Sequence, residues 1–130
     1  MENRGAHIIL DEIISSEPQG ALVRQDDPHW RDIVFWSFNV RIAAEELGVS
    51  QANVERQRRT SGNAEVQRLL GVHGYFGKAI GLSNQWAYDI IRLVGNYQDV
   101  WQRHLSPLGL TRGPNALLED GGIMTALPLR

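Results

Sequence analysis

Two long helical patterns constrain the fold of this 130-residue chain more than any other feature of the sequence. The first opens at Asp26-Asp27-Pro28, since aspartate at the N-cap and proline at the first helical position form a strong start signal. It ends at Gly48, a candidate for the left-handed residue that follows a helix. Apolar residues recur between these points at the helical steps of three and four: Ile33, Trp36, Val40, Ala43 and Leu47.

The second long pattern runs from Asn84 to about Leu105, just before Pro107. Its apolar stripe also has the helical period: Trp86, Ile90, Leu93, Tyr97 and Trp101. Gly95 lies inside this helix and disfavours it by about 1 kcal/mol relative to alanine, which close packing of another helix would explain.

Two short segments before the first helix favour strands. Residues 7–14 are rich in β-branched side chains, with Ile8, Leu10 and Ile14 on one face and further isoleucines on the other. Apolar residues on both faces predict burial on both sides, or burial on one side and a partner on the other. A second strand is predicted over 21–25, and Glu17-Pro-Gln-Gly20 separates the two. A hairpin is one option for this pair.

The remaining elements are short. Ser50 is predicted to cap a helix that ends near Arg59, and Asn63 to cap another that ends at Leu70. Residues 71–81 hold four glycines and predict a loop with one helical turn, and a last turn is expected over 115–119.

These elements predict a mostly helical α+β fold: two N-terminal strands, two long helices and several short helices. The length favours one domain over 1–130, with a strand segment over 1–25 and a helical part over 26–130. The chain has no cysteine, which removes disulfides, thiolate nucleophiles and cysteine-ligated metal sites. No apolar run approaches the roughly 18 residues of a membrane-spanning helix. The N-terminus lacks the basic and apolar regions of an export signal, so the chain as written is expected to be cytoplasmic.

No pattern in the sequence indicates catalysis, a metal site or a cofactor. The four histidines have no metal-ligand spacing, and no nucleophile elbow or phosphate-loop motif is present. The adjacent acids Glu45 and Glu46 do not face each other on a helix. A net charge of −2 argues against nucleic acid as a partner. The arginines near Gln57 are interpreted as a solvated helix end, where cations are favoured.

The first long helix is apolar nearly all round, which predicts burial on more than one side. Together with the first strand, it supplies the candidate interaction surface: Ile8, Leu10, Ile13, Trp30, Trp36 and Phe38.

Several segments carry a family resemblance: Glu17–Arg24, Ala43–Gly48, Gln85–Ile91, Val94–Tyr97, Leu108–Leu110 and Arg112–Met124. Together they resemble the C-terminal part of the periplasmic substrate-binding proteins of general L-amino-acid ABC transporters, solute-binding protein family 3. The resemblance implies a partial lobe of a two-lobed fold that holds an amino acid in its cleft. The ligand-gripping arginine and acid of that family lie upstream of this part, so no residue here is assigned a ligand contact.

The resemblance also implies surface that a second lobe would cover. We therefore expect a non-enzymatic stand-alone module that self-associates, most simply as a symmetric homodimer. A small-molecule binder with a pocket rebuilt across an oligomer interface is the alternative. The resembled family is periplasmic, so the resemblance leaves the compartment open.

Overall fold

A computed structural model describes Glu12, Ile14, Ser15, Glu17 and residues 19–129. Six α-helices lie in this part of the chain: α1 (Pro28–Glu46), α2 (Val54–Thr60), α3 (Ala64–Leu69), α4 (Phe76–Ala79), α5 (Trp86–Val94) and α6 (Tyr97–His104). Three 3-10 turns follow α6: Ser106–Leu108, Gly113–Asn115 and Leu118–Asp120. The expectation of a mostly helical chain is therefore confirmed, and two 3-10 turns replace the single turn predicted over 115–119.

Helix α1 begins and ends where its sequence signals predict. The Asp27 carboxylate accepts a hydrogen bond of 2.9 Å from the Trp30 backbone N–H, and Pro28 occupies the first turn. After Leu47 the chain leaves the helix through Gly48, whose φ of +64° is the left-handed conformation expected there. Val40 and Ala43 of the predicted stripe are buried, and its other members are half-buried.

The prediction of two N-terminal strands is not supported. Most of segment 7–14 lies outside the described residues. Segment 21–25 is described and is not a strand; within the described part of the chain, β pairing is limited to one bridge between Leu117 and Met124. A strand requires a neighbouring backbone to pair with. Residues 21–25 have no such neighbour among the residues described, so the local preference for a strand is not realised.

The predicted second long helix is divided into α5 and α6. Gly95 has φ +94° and ψ 174°, far from helical values, and ends α5. Asn96 then caps α6 through a reciprocal capping box, in which its side chain accepts from the Asp99 N–H and the Asp99 carboxylate accepts from the Asn96 N–H. The Asn96 side chain also donates to the Val49 carbonyl at 2.9 Å. Leu93, a member of the predicted stripe, is 64% exposed, because the buried side of α5 is formed by Trp86, Ala87, Tyr88 and Ile91.

The short helices follow their predictions except at the start of α2. This helix begins at Val54 rather than after Ser50, because Asn53 closes a turn first. The Asn53 side chain accepts from the Ser50 N–H and donates to the Gly48 carbonyl, both at 2.9 Å. Helix α3 starts after Asn63, whose side chain accepts from the Glu65 N–H, as predicted.

The core lies where α1 crosses α3, α5 and α6. Its fully buried members are aliphatic: Val40, Val49, Val54, Leu69, Leu70 and Ile91. An aromatic row closes one end, since Trp36 meets the Phe76 ring edge-on at 4.7 Å and Phe76 stacks on Trp86 at 6.0 Å. Trp36 therefore packs against its own chain.

The C-terminal residues 125–129 form a strap that lies along α1. The buried Asn39 side chain donates to the Leu127 carbonyl at 3.0 Å and accepts from the Leu127 N–H at 2.7 Å. One helical side chain thus satisfies both backbone groups of Leu127, as a neighbouring strand would. Glu46 accepts from the Ala126 N–H at 3.0 Å, seven residues further along α1. These bonds fix the strap along one side of the helix.

Candidate interaction face

A largely apolar groove of about 610 Å³ runs along α1. Its floor is the helix itself, and its apolar members there are Val34, Phe35, Phe38 and Ile42. One wall is the segment 19–23 that precedes the helix, and the other is formed by Thr125 and Leu127 of the C-terminal strap. We call this surface the α1 groove.

Two aromatic side chains on the floor of the α1 groove are exposed to solvent. Phe35 is 50% exposed and Phe38 is 45% exposed, and Trp30 near the start of the helix is 51% exposed. Within its own chain, Phe38 meets the Tyr97 ring at 5.7 Å, and the Arg41 guanidinium lies 6.0 Å from the centre of its ring. Contiguous exposed aromatics of this kind mark interaction sites in soluble proteins.

The wall before α1 has the side-chain alternation of a strand. Ala21 and Val23 line the α1 groove, whereas Leu22 is 99% exposed and the Arg24 side chain is 83% exposed. Successive side chains of an extended backbone point to opposite faces. Residues 21–24 therefore have the side-chain pattern of a strand, although they form no backbone–backbone hydrogen bond within the described part of the chain.

Only some of the residues predicted for an interaction surface lie on this face. Trp30 and Phe38 are exposed on α1, and Phe38 lines the α1 groove. Trp36 is half-buried on another side of the helix, in the aromatic row of the core. Ile8, Leu10 and Ile13 lie outside the described residues.

Phe35 and Ile42 of the floor belong to the apolar residues all round the first long helix, but the predicted interaction surface does not include them or Leu127 of the strap. A signal for the floor exists in the sequence. Val34, Phe38 and Ile42 recur at steps of four, and Phe35 lies one step of three before Phe38. This second helical stripe is offset from the one that enters the core.

Charged side chains are sparse in the α1 groove. Arg31 lines it, with a side chain that is 64% exposed and pairs with Asp32 at 3.0 Å.

Among the described residues, no group of three or more histidine, cysteine or acidic side chains is positioned to hold a metal ion. His29, at the start of α1, is hydrogen-bonded to the Ile80 carbonyl at 2.9 Å and so has a structural partner. In the described part of the chain, no helix is long and apolar enough to cross a bilayer.

Of the arginines near Gln57, Arg58 lies where α2 meets α5. Arg58 lies 4.2 Å from the centre of the Tyr88 ring, and the Tyr88 hydroxyl donates a 2.5 Å hydrogen bond to Glu55. That hydrogen bond, together with burial of the hydroxyl, raises the pKa of Tyr88 above its ordinary value of 10.0. Arg58 therefore has a partner within the chain.

We expect the Glu55→Gln substitution to lower the pKa of Tyr88 toward 10, because the carboxylate then no longer favours the neutral phenol. The measurement is a titration of tyrosinate absorbance, with Tyr88→Phe identifying which of the three tyrosines moves. Because the folded-state pKa is raised, the associated stability is present below about pH 10 and is lost as the pH rises through the folded-state value. An unchanged titration in Glu55→Gln would contradict this assignment.

Comparison with known proteins first defines the class of the fold. A solved ABC transporter / periplasmic binding protein from Brucella ovis with glutathione bound superposes with a TM-score of 0.89 at 42% identity. The match covers 97% of this chain and 40% of that one. The fold is thus that of part of a periplasmic binding protein. No family model matches the chain.

Curated relatives narrow the class further. The general L-amino acid-binding periplasmic protein AapJ of Rhizobium johnstonii is 45% identical over 135 aligned positions. The glutamate/glutamine/aspartate/asparagine-binding protein BztA of Rhodobacter capsulatus is 44% identical, and the putative amino-acid ABC transporter-binding protein YhdW of Escherichia coli is 40% identical. Each match covers all of this chain and 39% of the relative.

The predicted resemblance is therefore confirmed: over its whole length, this chain is homologous to periplasmic binding proteins of amino-acid ABC transporters. The chain spans about two fifths of the length of the relatives that it matches, which agrees with the prediction of a C-terminal part. These relatives are solute-binding proteins rather than enzymes.

Proposed function

We propose that this chain is a non-enzymatic module of the amino-acid-binding-protein class that self-associates through the α1 groove as a symmetric dimer. The observation that carries the proposal is the pair of half-exposed aromatic rings, Phe35 and Phe38, on the floor of an apolar groove. Burying an aromatic side chain removes about 150–250 Å² from water. A surface of this kind is stabilised when a partner covers it.

A symmetric dimer suits this surface because a two-fold axis places the same patch on both partners. The centre of the face is apolar and aromatic, while exposed Arg24, Arg31 and Asp26 lie at or near its edge. Interfaces commonly combine an apolar, aromatic centre with a polar rim. The lining is poor in charged groups, which supports a protein partner over a charged ligand.

We expect Phe38→Glu to dissociate the dimer, raising its dissociation constant by about 30-fold or more, which corresponds to the ~2 kcal/mol of an interface hot spot. The measurement is solution mass by multi-angle light scattering over a range of protein concentrations. The matched control is Tyr75→Glu, which makes the same kind of change at an exposed aromatic, 74% accessible, outside the α1 groove. Circular dichroism checks that both variants are folded.

Self-association through this face requires a dimer for the wild type and Tyr75→Glu, and a shift to monomer for Phe38→Glu. A wild type that stays monomeric at every concentration would overturn the proposal. Equal dissociation in both variants would place the interface elsewhere.

A small-molecule ligand in the α1 groove is the second candidate. Its volume of about 610 Å³ lies within the roughly 300–1,000 Å³ of ligand sites, and the names of the relatives point to L-amino acids. Arg31 is a cation at the groove that suits a carboxylate. A thermal-shift screen of L-amino acids tests this function, because a ligand at 100 times its Kd stabilises the folded state by about 2.7 kcal/mol. If no amino acid raises the melting temperature and the protein is a dimer, the result contradicts the small-molecule function and supports the interaction module.

A further inference from the structure

The wall of the α1 groove that precedes the helix has the side-chain alternation of a β-strand. Among the described residues, it has no partner strand. Ala21 and Val23 face the groove and Leu22 faces away, so the backbone between them is placed to pair along one edge. An unpaired edge of this kind is a template for the backbone of another chain. Peptide recognition by strand addition uses such an edge for affinity and an adjacent apolar surface for side-chain specificity.

The chain itself contains a segment that fits such a site. Residues 7–14 carry isoleucine or leucine at Ile8, Leu10 and Ile14 on one face and at Ile9 and Ile13 on the other. As an extended strand the eight residues would reach about 26 Å, at about 3.3 Å per residue. The helical floor from Arg31 to Ile42 is about 17 Å long at about 1.5 Å per residue, so the segment is long enough to cross it.

The described end of this segment lies outside the groove of its own chain. Ile14 is 97% exposed and is not among the residues that line the α1 groove. This exposure favours insertion into the groove of a neighbouring molecule.

We propose that the α1 groove of one molecule receives residues 7–14 of a second copy, which pair as a β-strand with residues 21–24. The exchange is reciprocal, so each molecule both gives and receives a strand around one two-fold axis. This inference rests on the proposed self-association and adds the element that is exchanged. It also provides the strand predicted at 7–14 and the strand pattern at 21–24 with a pairing partner.

Because the wild type has no cysteine, single-cysteine variants report this contact without background. Isotopically heavy Leu10→Cys is mixed with light Ala21→Cys under mild oxidation, so that any mixed disulfide joins two different molecules. Neighbouring strands lie about 4.7–4.9 Å apart, within the roughly 4.4–6.8 Å between Cα atoms that a disulfide spans. Ile8→Cys and Ile13→Cys replace Leu10→Cys to sample the register. The control pairs each with Glu119→Cys, an exposed position outside the groove.

We expect mass spectrometry to detect a mixed disulfide between at least one of these three positions and Ala21→Cys, at least about 10-fold above the Glu119→Cys control, as a fixed contact requires. Light scattering on the same samples separates the two proposals. A dimer without that disulfide overturns strand exchange and leaves self-association intact, whereas a monomer overturns both. An internal disulfide in the double variant Leu10→Cys/Ala21→Cys, without any cross-chain product, would show that the chain's own segment occupies the groove.

Discussion

The Gly71→Ala variant is expected to lose about 3 kcal/mol or more of its free energy of unfolding, a loss at the severe end for a single substitution. Gly71 has φ +68°, a conformation that favours glycine, and its missing side chain makes room for the loop before α5. A methyl group added at Gly71 would overlap the Asn84 carbonyl, with the carbonyl carbon only 2.6 Å away. Backbone atoms cannot rotate aside, so the 71–84 contact must open.

Two other glycines separate the causes of this loss. Gly48 has a similar φ of +64° but no atom within 4 Å of an added methyl group, so Gly48→Ala carries only the conformational penalty of about 1–2 kcal/mol. Gly62 has neither a positive φ nor a close neighbour, so Gly62→Ala is expected within about 0.5 kcal/mol of wild type. Urea denaturation followed by circular dichroism measures all three. The close packing described for Gly71 requires its variant to be clearly less stable than Gly48→Ala.

The Arg112→Met variant is expected to lose about 3–5 kcal/mol, because it leaves a buried carboxylate without its charge partner. Arg112 pairs with Glu45 of α1, and their side chains are only 14% and 10% exposed. The same guanidinium donates to the Gln98 side chain and, at 3.0 and 2.6 Å, to the Asn115 carbonyl. Arg112 thus joins α1, α6 and the 3-10 turn at Gly113–Asn115.

Arg24→Met is the matched control for this loss. Arg24 also pairs with an acid, Asp26, but both side chains are more than 70% exposed, and an exposed pair contributes about 0–1 kcal/mol. The double variant Arg112→Met/Glu45→Leu removes both buried charges, and it should recover much of the loss. Equal stabilities for Arg112→Met and Arg24→Met in thermal or urea unfolding would show that burial of the Arg112 pair has no energetic consequence.

Elements set by local signals could be predicted from the sequence, whereas those set by distant contacts could not. Asp27, Pro28 and Gly48 define α1 by neighbours along the chain, and the structure agrees. The break at Gly95 was not predicted because the apolar period continues across it. The break is stabilised from far along the chain: Asn96 donates to the Val49 carbonyl, and the Gln51 N–H donates to the Asp99 carboxylate at 2.8 Å. The strand tendency of 21–25 is visible in the sequence, but no partner strand for it lies among the described residues.

The candidate site was predictable in the same uneven way. An all-round apolar helix indicates that some side of α1 needs covering, and this pattern predicts Trp30 and Phe38 as interaction residues. Which side of α1 enters the core depends on the helices packed against it. The pattern alone therefore does not separate Trp36, which packs on Phe76, from Trp30 and Phe38. Leu127 lines the α1 groove because Asn39, 88 positions earlier, holds it there, a contact that no local pattern reveals.

The hydrogen bonds between Asn39 and the strap affect how the sequence of the strap can change during evolution. The Asn39 amide forms hydrogen bonds only with the main chain of Leu127, and every non-proline residue has the same backbone N–H and C=O groups. The path of the strap therefore does not depend on which non-proline side chain stands at position 127, whereas it does depend on the amide at position 39. Among homologous proteins, the strap can diverge in side chains and still lie along the same side of α1. Identity over the last few residues would then underestimate how well their path is retained.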